Sequence, residues 1–165
     1  DQEEALSLAD EIFLFDRGHV VQSGGPRDLY FRPRTRFAAE FLGKANLVPV
    51  AIAELGAGYE VRARDAARTL VATLTDGVAP ALADPHAMVR PEAWNVVGVG
   101  ASPIHGTVTD ATFIGDRLVV RVDTPLGSQI VGTSGFESLA SGDRVGLSLD
   151  AARLQLIDMQ EGSAS

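Results

Sequence analysis

The chain has 165 residues and no cysteine, and carries 14 basic against 22 acidic side chains for a net charge of −8. That excludes a disulfide framework, thiol chemistry and a cysteine-based zinc site, and it argues against nucleic acid as a partner, since phosphate binding needs clustered Lys and Arg. A hydrophobic fraction of 45% with 17 glycines suits a turn-rich globular protein, whose longest apolar runs, such as Ile12 to Phe15, are far too short to cross a membrane.

In chain order, DQEEALSLADEIFLF opens with helical spacing. Ala5, Leu8, Ala9 and Ile12 fall at i, i+3, i+4 and i+7, and the acidic first turn suits a helix N-terminus. The acidic opening is also unlike the basic start of a signal peptide, so a cytoplasmic setting is expected. Ile12 to Phe15 and Val20 to Gln22 then read as two strands around the hairpin loop Asp16-Arg17-Gly18-His19. Pro26 begins a short helix that halts near Pro33. Another helix is expected from Thr35 to Leu42, with Phe37 and Phe41 on one face and Gly43 as its stop. The composition changes at Lys44-Ala45-Asn46, where a domain boundary is expected. The first 43 residues hold five of the chain's seven Phe, more aromatic surface than three short helices and a hairpin bury among themselves. The segment therefore reads as the end of a larger domain.

From Asn46 onward the grammar is that of short antiparallel strands. Leu47 to Ala53 and Tyr59 to Arg64 flank Gly56-Ala57-Gly58, Leu70 to Leu74 follows, and 80–85 is a loop. Met88 to Glu92 reads as a strand with Pro91 at its edge or end, and Gly98 to Pro103 links it to the stretch Ile104 to Leu149. There Leu118, Val120 and Val122 face opposite to Val119, Arg121 and Asp123, and Val145, Leu147 and Leu149 alternate in the same way. Gly115-Asp116 and Pro125-Leu126-Gly127 are the turns. Leu154 and Leu156 belong to a closing strand, and 160–165 reads as a tail. This spacing predicts a small β-barrel or sandwich.

Chemical motifs are sparse. His19, His86 and His105 lie far apart without ligand spacing, so no metal site is expected. Ser134-Gly135 and Ser141-Gly142 lack a G-x-S-x-G elbow, so no catalytic residue is assigned. On a strand, Arg90 and Glu92 would point the same way across Pro91 and are candidate interface residues.

The order of these pieces resembles the C-terminal part of an ABC-importer ATPase subunit. DQEEALSLAD resembles the segment after the family's switch histidine. IFLFDRGHVVQSGGPRDLYFRP resembles the last hairpin and helix of the nucleotide-binding domain, and RFAAEFLGKANLVPV its exit helix and linker. MVRPE and the 106–149 pattern resemble the appended TOBE domain, an OB-like regulatory β-fold. FLGKANLVPV is more similar to the polyamine and ferric-iron branches than to the maltose branch. The resemblance implies a mainly β fold. Residues 1–44 would be an α/β remnant of the nucleotide-binding domain, 45–160 a TOBE domain, and 161–165 a tail. The family's switch histidine would immediately precede Asp1, and neither a GxxxxGK[ST] loop nor a preceding Walker B strand occurs. Gln22-Ser23-Gly24-Gly25-Pro26 has a superficial similarity to the family's LSGGQ signature, but it follows a strand and precedes a helix-starting proline, and a turn explains it.

The chain alone is therefore expected to be a non-catalytic regulatory and dimerisation region that binds no cofactor. ATP and magnesium are expected only for the full-length parent, which would sit at the membrane against permease subunits. A homodimer is expected, with Phe13, Phe15, Phe37 and Phe41 at its interface and the N-terminal segment paired or swapped between chains. The alternative is a sensor of an oxyanion or other small ligand, with Thr107, Thr109, Ser128, Thr133 and Ser134 as neutral donors.

Overall fold

In the computed structural model, which describes residues 2–65, 67–75 and 77–160, a short helix α1 (Gln2–Leu8) leads into a hairpin of β1 (Ile12–Asp16) and β2 (His19–Gly24). The helical spacing that reached Ile12 stops sooner, because the β-prone Ile-Phe-Leu-Phe run pairs with 19–24 instead. Arg17 and Gly18 take φ of 48° and 84°, the paired left-handed turn whose twist matches the strands it joins. Helix α2 (Pro26–Phe31) starts on its proline. Helix α3 (Arg36–Phe41) is capped by Thr35, whose Oγ1 accepts a hydrogen bond from the Ala38 N–H at 3.1 Å.

The rest of the described chain is built from strands. They are β3 (Asn46–Leu55), β4 (Gly58–Ala63), β5 (Leu70–Leu74), β6 (Pro85–Val89) and β7 (Trp94–Val97), then β8 (His105–Phe113), β9 (Arg117–Thr124), β10 (Gly127–Ser134), β11 (Arg144–Leu149) and β12 (Leu154–Asp158). One antiparallel sheet has the order β10-β9-β8-β11-β7 and the other β12-β6-β3-β4-β5. Alternation gives each strand one apolar side, and the two apolar faces meet. Val48, Val50 and Val61 come from one sheet, and Val120, Val122, Val131 and Leu147 from the other. Burying each such side chain is worth roughly 1.5–3 kcal/mol. The expected tail at 161–165 lies outside the described residues.

Two expectations are corrected. The strand expected over Met88 to Glu92 is Pro85–Val89, and Pro91–Ala93 form a single 3₁₀ turn, since proline has no N–H to give a ladder. Trp94–Val97, absent from the sequence reading, pairs with β11 as an edge strand.

The sheets are also stitched by one polar side chain. Asn46, 5% exposed at the head of β3, donates from Nδ2 to the Ile130 carbonyl at 2.8 Å and accepts from the Ile130 N–H at 2.7 Å. Its amide presents to β10 the donor and acceptor of a neighbouring strand. Nδ2 also donates to the Val89 carbonyl at 3.2 Å.

Candidate functional site

The N-terminal segment meets the β-sheets at Arg90. Pro91 confines the residue before it to extended backbone, and Arg90 has φ −69° and ψ 147° at the end of β6. The guanidinium lies where the C-terminal ends of α2 and α3 converge, and only 2% of the residue is exposed. Its Nε and Nη2 donate to the Tyr30 carbonyl at 3.0 and 2.8 Å. Its Nη1 donates to the carbonyls of Ala39, Gly43 and Lys44 at 2.9, 3.1 and 3.0 Å. The Tyr30 and Ala39 carbonyls are ones that helix ends leave without intrahelical partners, and they carry the negative end of the helix dipole, while Gly43 and Lys44 belong to the connection beyond α3. Among the described residues no carboxylate forms an ion pair with Arg90. The counter-charge is main-chain dipole.

Tyr30 completes the joint. Its ring lies under the guanidinium, with the Arg90 Cζ 4.1 Å from the ring centroid, a cation–π contact. Its hydroxyl donates to the Glu92 Oε1 at 2.9 Å. Burial, and then the adjacent Glu92 carboxylate, push the Tyr30 phenol up to about 12. Burial also pulls the Arg90 guanidinium below its ordinary value, with Tyr30 and Glu92 acting in the opposite sense. An arginine so displaced still stays charged. Gly43 threads past the ring so closely that a Cβ there would sit 3.0 Å from the Tyr30 Cε2.

Arg90 and Glu92 thus do not share one face of a strand. Arg90 is turned into the chain's own interior, while Glu92 stays at the surface and receives Tyr30. The Phe candidates fall elsewhere. Phe13 and Phe15 lie on the outer face of the β1–β2 hairpin, 55% and 59% exposed, with Val20 cross-strand from Phe15. Leu14, between them, is buried. Phe37 and Phe41 stack with ring centroids 5.4 Å apart on α3, and Phe41 remains exposed.

The five neutral-donor candidates do not converge. Thr107 and Ser128 both pair with Asp123, so a carboxylate sits between them on that face. Thr133 and Ser134 pair with Leu118 and Arg117 at the other end of β9, about 20 Å away by the rise of a strand. Thr109 occupies a bulge where β8 slips its register against β9, and its hydroxyl donates to the Arg121 carbonyl at 3.3 Å. A cleft of about 250 Å³ is lined by Val48, Pro49, Arg64, Asp65 and the 125–127 turn, and none of the five lines it.

Tyr30 and Asn46 were not singled out from sequence. A polar residue opening a strand and an arginine immediately before a proline were the available signals, but neither names its partner, which lies 60 residues from Arg90 and 84 residues from Asn46.

The TOBE domain family model matches residues 87–157. The chain is 32% identical over 134 residues to the Fe(3+) ions import ATP-binding protein FbpC of Brucella abortus, a match covering 79% of this chain and 36% of that protein. It is 30% identical over 164 residues to the spermidine/putrescine import ATP-binding protein PotA of Mesorhizobium japonicum, covering 93% of this chain and 44% of that protein. The chain therefore spans less than half the length of these curated relatives. Among solved structures, the cytoplasmic molybdate-binding protein ModG with molybdate bound aligns at TM-score 0.49 and 14% identity, over 68% of this chain and 94% of ModG. No helix among the described residues is long and apolar enough to cross a membrane. The mainly β body thus contains a TOBE domain, and the chain around it is related by sequence to the ATP-binding subunits of ABC importers.

Proposed function

We propose that this chain is the C-terminal regulatory region of the ATP-binding subunit of an ABC importer. In this reading residues 1–44 are the end of the nucleotide-binding domain and residues 45–160 the TOBE regulatory domain. The observation that carries it is a single alignment: similarity to an import ATP-binding protein runs through 93% of the chain, across the hairpin and helices and into the TOBE match. The exposed Phe13 and Phe15 face supports it, because a nucleotide-binding body packed there would cover apolar surface that water now meets. ATP and magnesium belong to that body, and the complete subunit works on the cytoplasmic side against membrane-spanning permease subunits. The relatives name two different cargoes, ferric iron and polyamines, so the proposal is confined to import.

The test is catalytic. This chain is expected to show no magnesium-dependent ATP hydrolysis, whereas the complete subunit hydrolyses ATP. Hydrolysis by this chain that disappears on substituting one of its own residues overturns the reading.

A further inference from the structure

We propose that Arg90 is a strut that couples α2 and α3 rigidly to the β-sheets, so that a displacement of either helix is carried into the β-body and does not dissipate at the 42–46 connection. The inference stands on the joint itself and does not depend on the functional reading above. The main apolar core lies wholly between Val48 and Leu147 and includes nothing from the N-terminal segment. Across the joint the apolar contact is thin: Ala39 against Met88 and Ile157, with Ala45, Leu47 and Met159 at its rim. A connection through Gly43, with so little hydrophobic contact beside it, would by itself be a hinge.

The guanidinium removes that freedom. It bonds at once to the end of α2, the end of α3 and the connection at Gly43 and Lys44, from a residue whose backbone is fixed by β6 and Pro91. Moving either helix away strips carbonyl acceptors from a buried cation that forms no ion pair with a carboxylate among the described residues. Few small displacements are open to such a joint, because a planar fork tolerates little misalignment. The Tyr30–Glu92 bond lies at the exposed rim and is the weaker of the two ties.

Hydrogen–deuterium exchange on the full chain tests this, with Trp94 as an internal control. Trp94 is the chain's single tryptophan and is 2% exposed in the β-body, so its emission reports that half alone. Arg90→Met is expected to raise exchange of the amides in 26–44 at least tenfold, while amides in 46–158 and Trp94 emission stay unchanged. Arg90→Lys keeps the charge but has three donors on a flexible stem, and is expected to raise exchange in 26–44 at least threefold. Tyr30→Phe, which keeps the ring and the carbonyl, is expected to stay within twofold of the parent. The proposal is overturned if Arg90→Lys leaves 26–44 unchanged, if the rise is spread evenly over both halves, or if Tyr30→Phe matches Arg90→Met. Should Arg90→Met fail to fold, the Arg90→Lys pattern decides.

Discussion

Asn46 and Tyr30 show how much can rest on one polar side chain in a mostly apolar structure. Removing the Asn46 amide leaves the N–H and C=O of Ile130 without partners beside the core. An unsatisfied buried group costs about 1–3 kcal/mol, so Asn46→Ala is expected to lose roughly 2–4 kcal/mol in chemical denaturation. A loss below about 0.5 kcal/mol contradicts that role. Tyr30 gives a prediction in pH. Its folded value is raised from 10.0 to about 12, which favours the neutral phenol in the folded state. That contribution is fully present below 10 and is lost as the pH climbs through 12. Thermal melts between pH 8 and 12 are expected to fall less steeply in Tyr30→Phe than in the parent across the upper part of that range. Parallel curves for the two proteins count against it.

At the scale of elements, turns and close approaches separate two kinds of glycine. Gly115 has φ 81° with open space where a Cβ would be, so Gly115→Ala carries only the backbone penalty of about 1–2 kcal/mol. Gly106 is different: a Cβ there would collide with the Asp123 carbonyl oxygen, across the β8–β9 pairing. Gly106→Ala is expected to cost about 3 kcal/mol or more, because two strands must part to admit it. Equal thermal shifts for the two variants contradict the distinction. Gly115 was legible in the sequence, because a turn glycine announces itself between alternating runs. Gly106 was not, because what crowds it comes from another strand. The same division holds for whole elements. The hairpin at Arg17-Gly18 and the strands around Leu118 to Val122 follow from local pattern. The edge strand Trp94–Val97 is short and was lost beside the proline that precedes it, and only its pairing with β11 defines it. Arg90 reads from sequence as a candidate interface residue beside Glu92, because charge usually means exposure and no local feature shows two helix ends arriving over it.

At the scale of the molecule, segment 26–44 is anchored to its own β-body, which disfavours exchanging it with a second copy and leaves the Phe13 and Phe15 face outermost. The homodimer expected from sequence for the isolated chain would then form through that face. Light scattering at micromolar concentration is expected to give a dimer for the parent and a monomer for the Phe13→Asp, Phe15→Asp double variant. A parent that remains monomeric, or a variant that remains dimeric, removes that face from the assembly. The Asn46 clamp has a consequence of another kind. Strand β10 is the outer strand of its sheet, and outer strands recruit further strands from other molecules. Here the rim is occupied, by the Asn46 amide at Ile130 and by Pro91 and Glu92 packed beside Gly132. The chain thus shields that edge with its own side chain and backbone, and loosening the clamp would present a template on which chains could stack into fibrils.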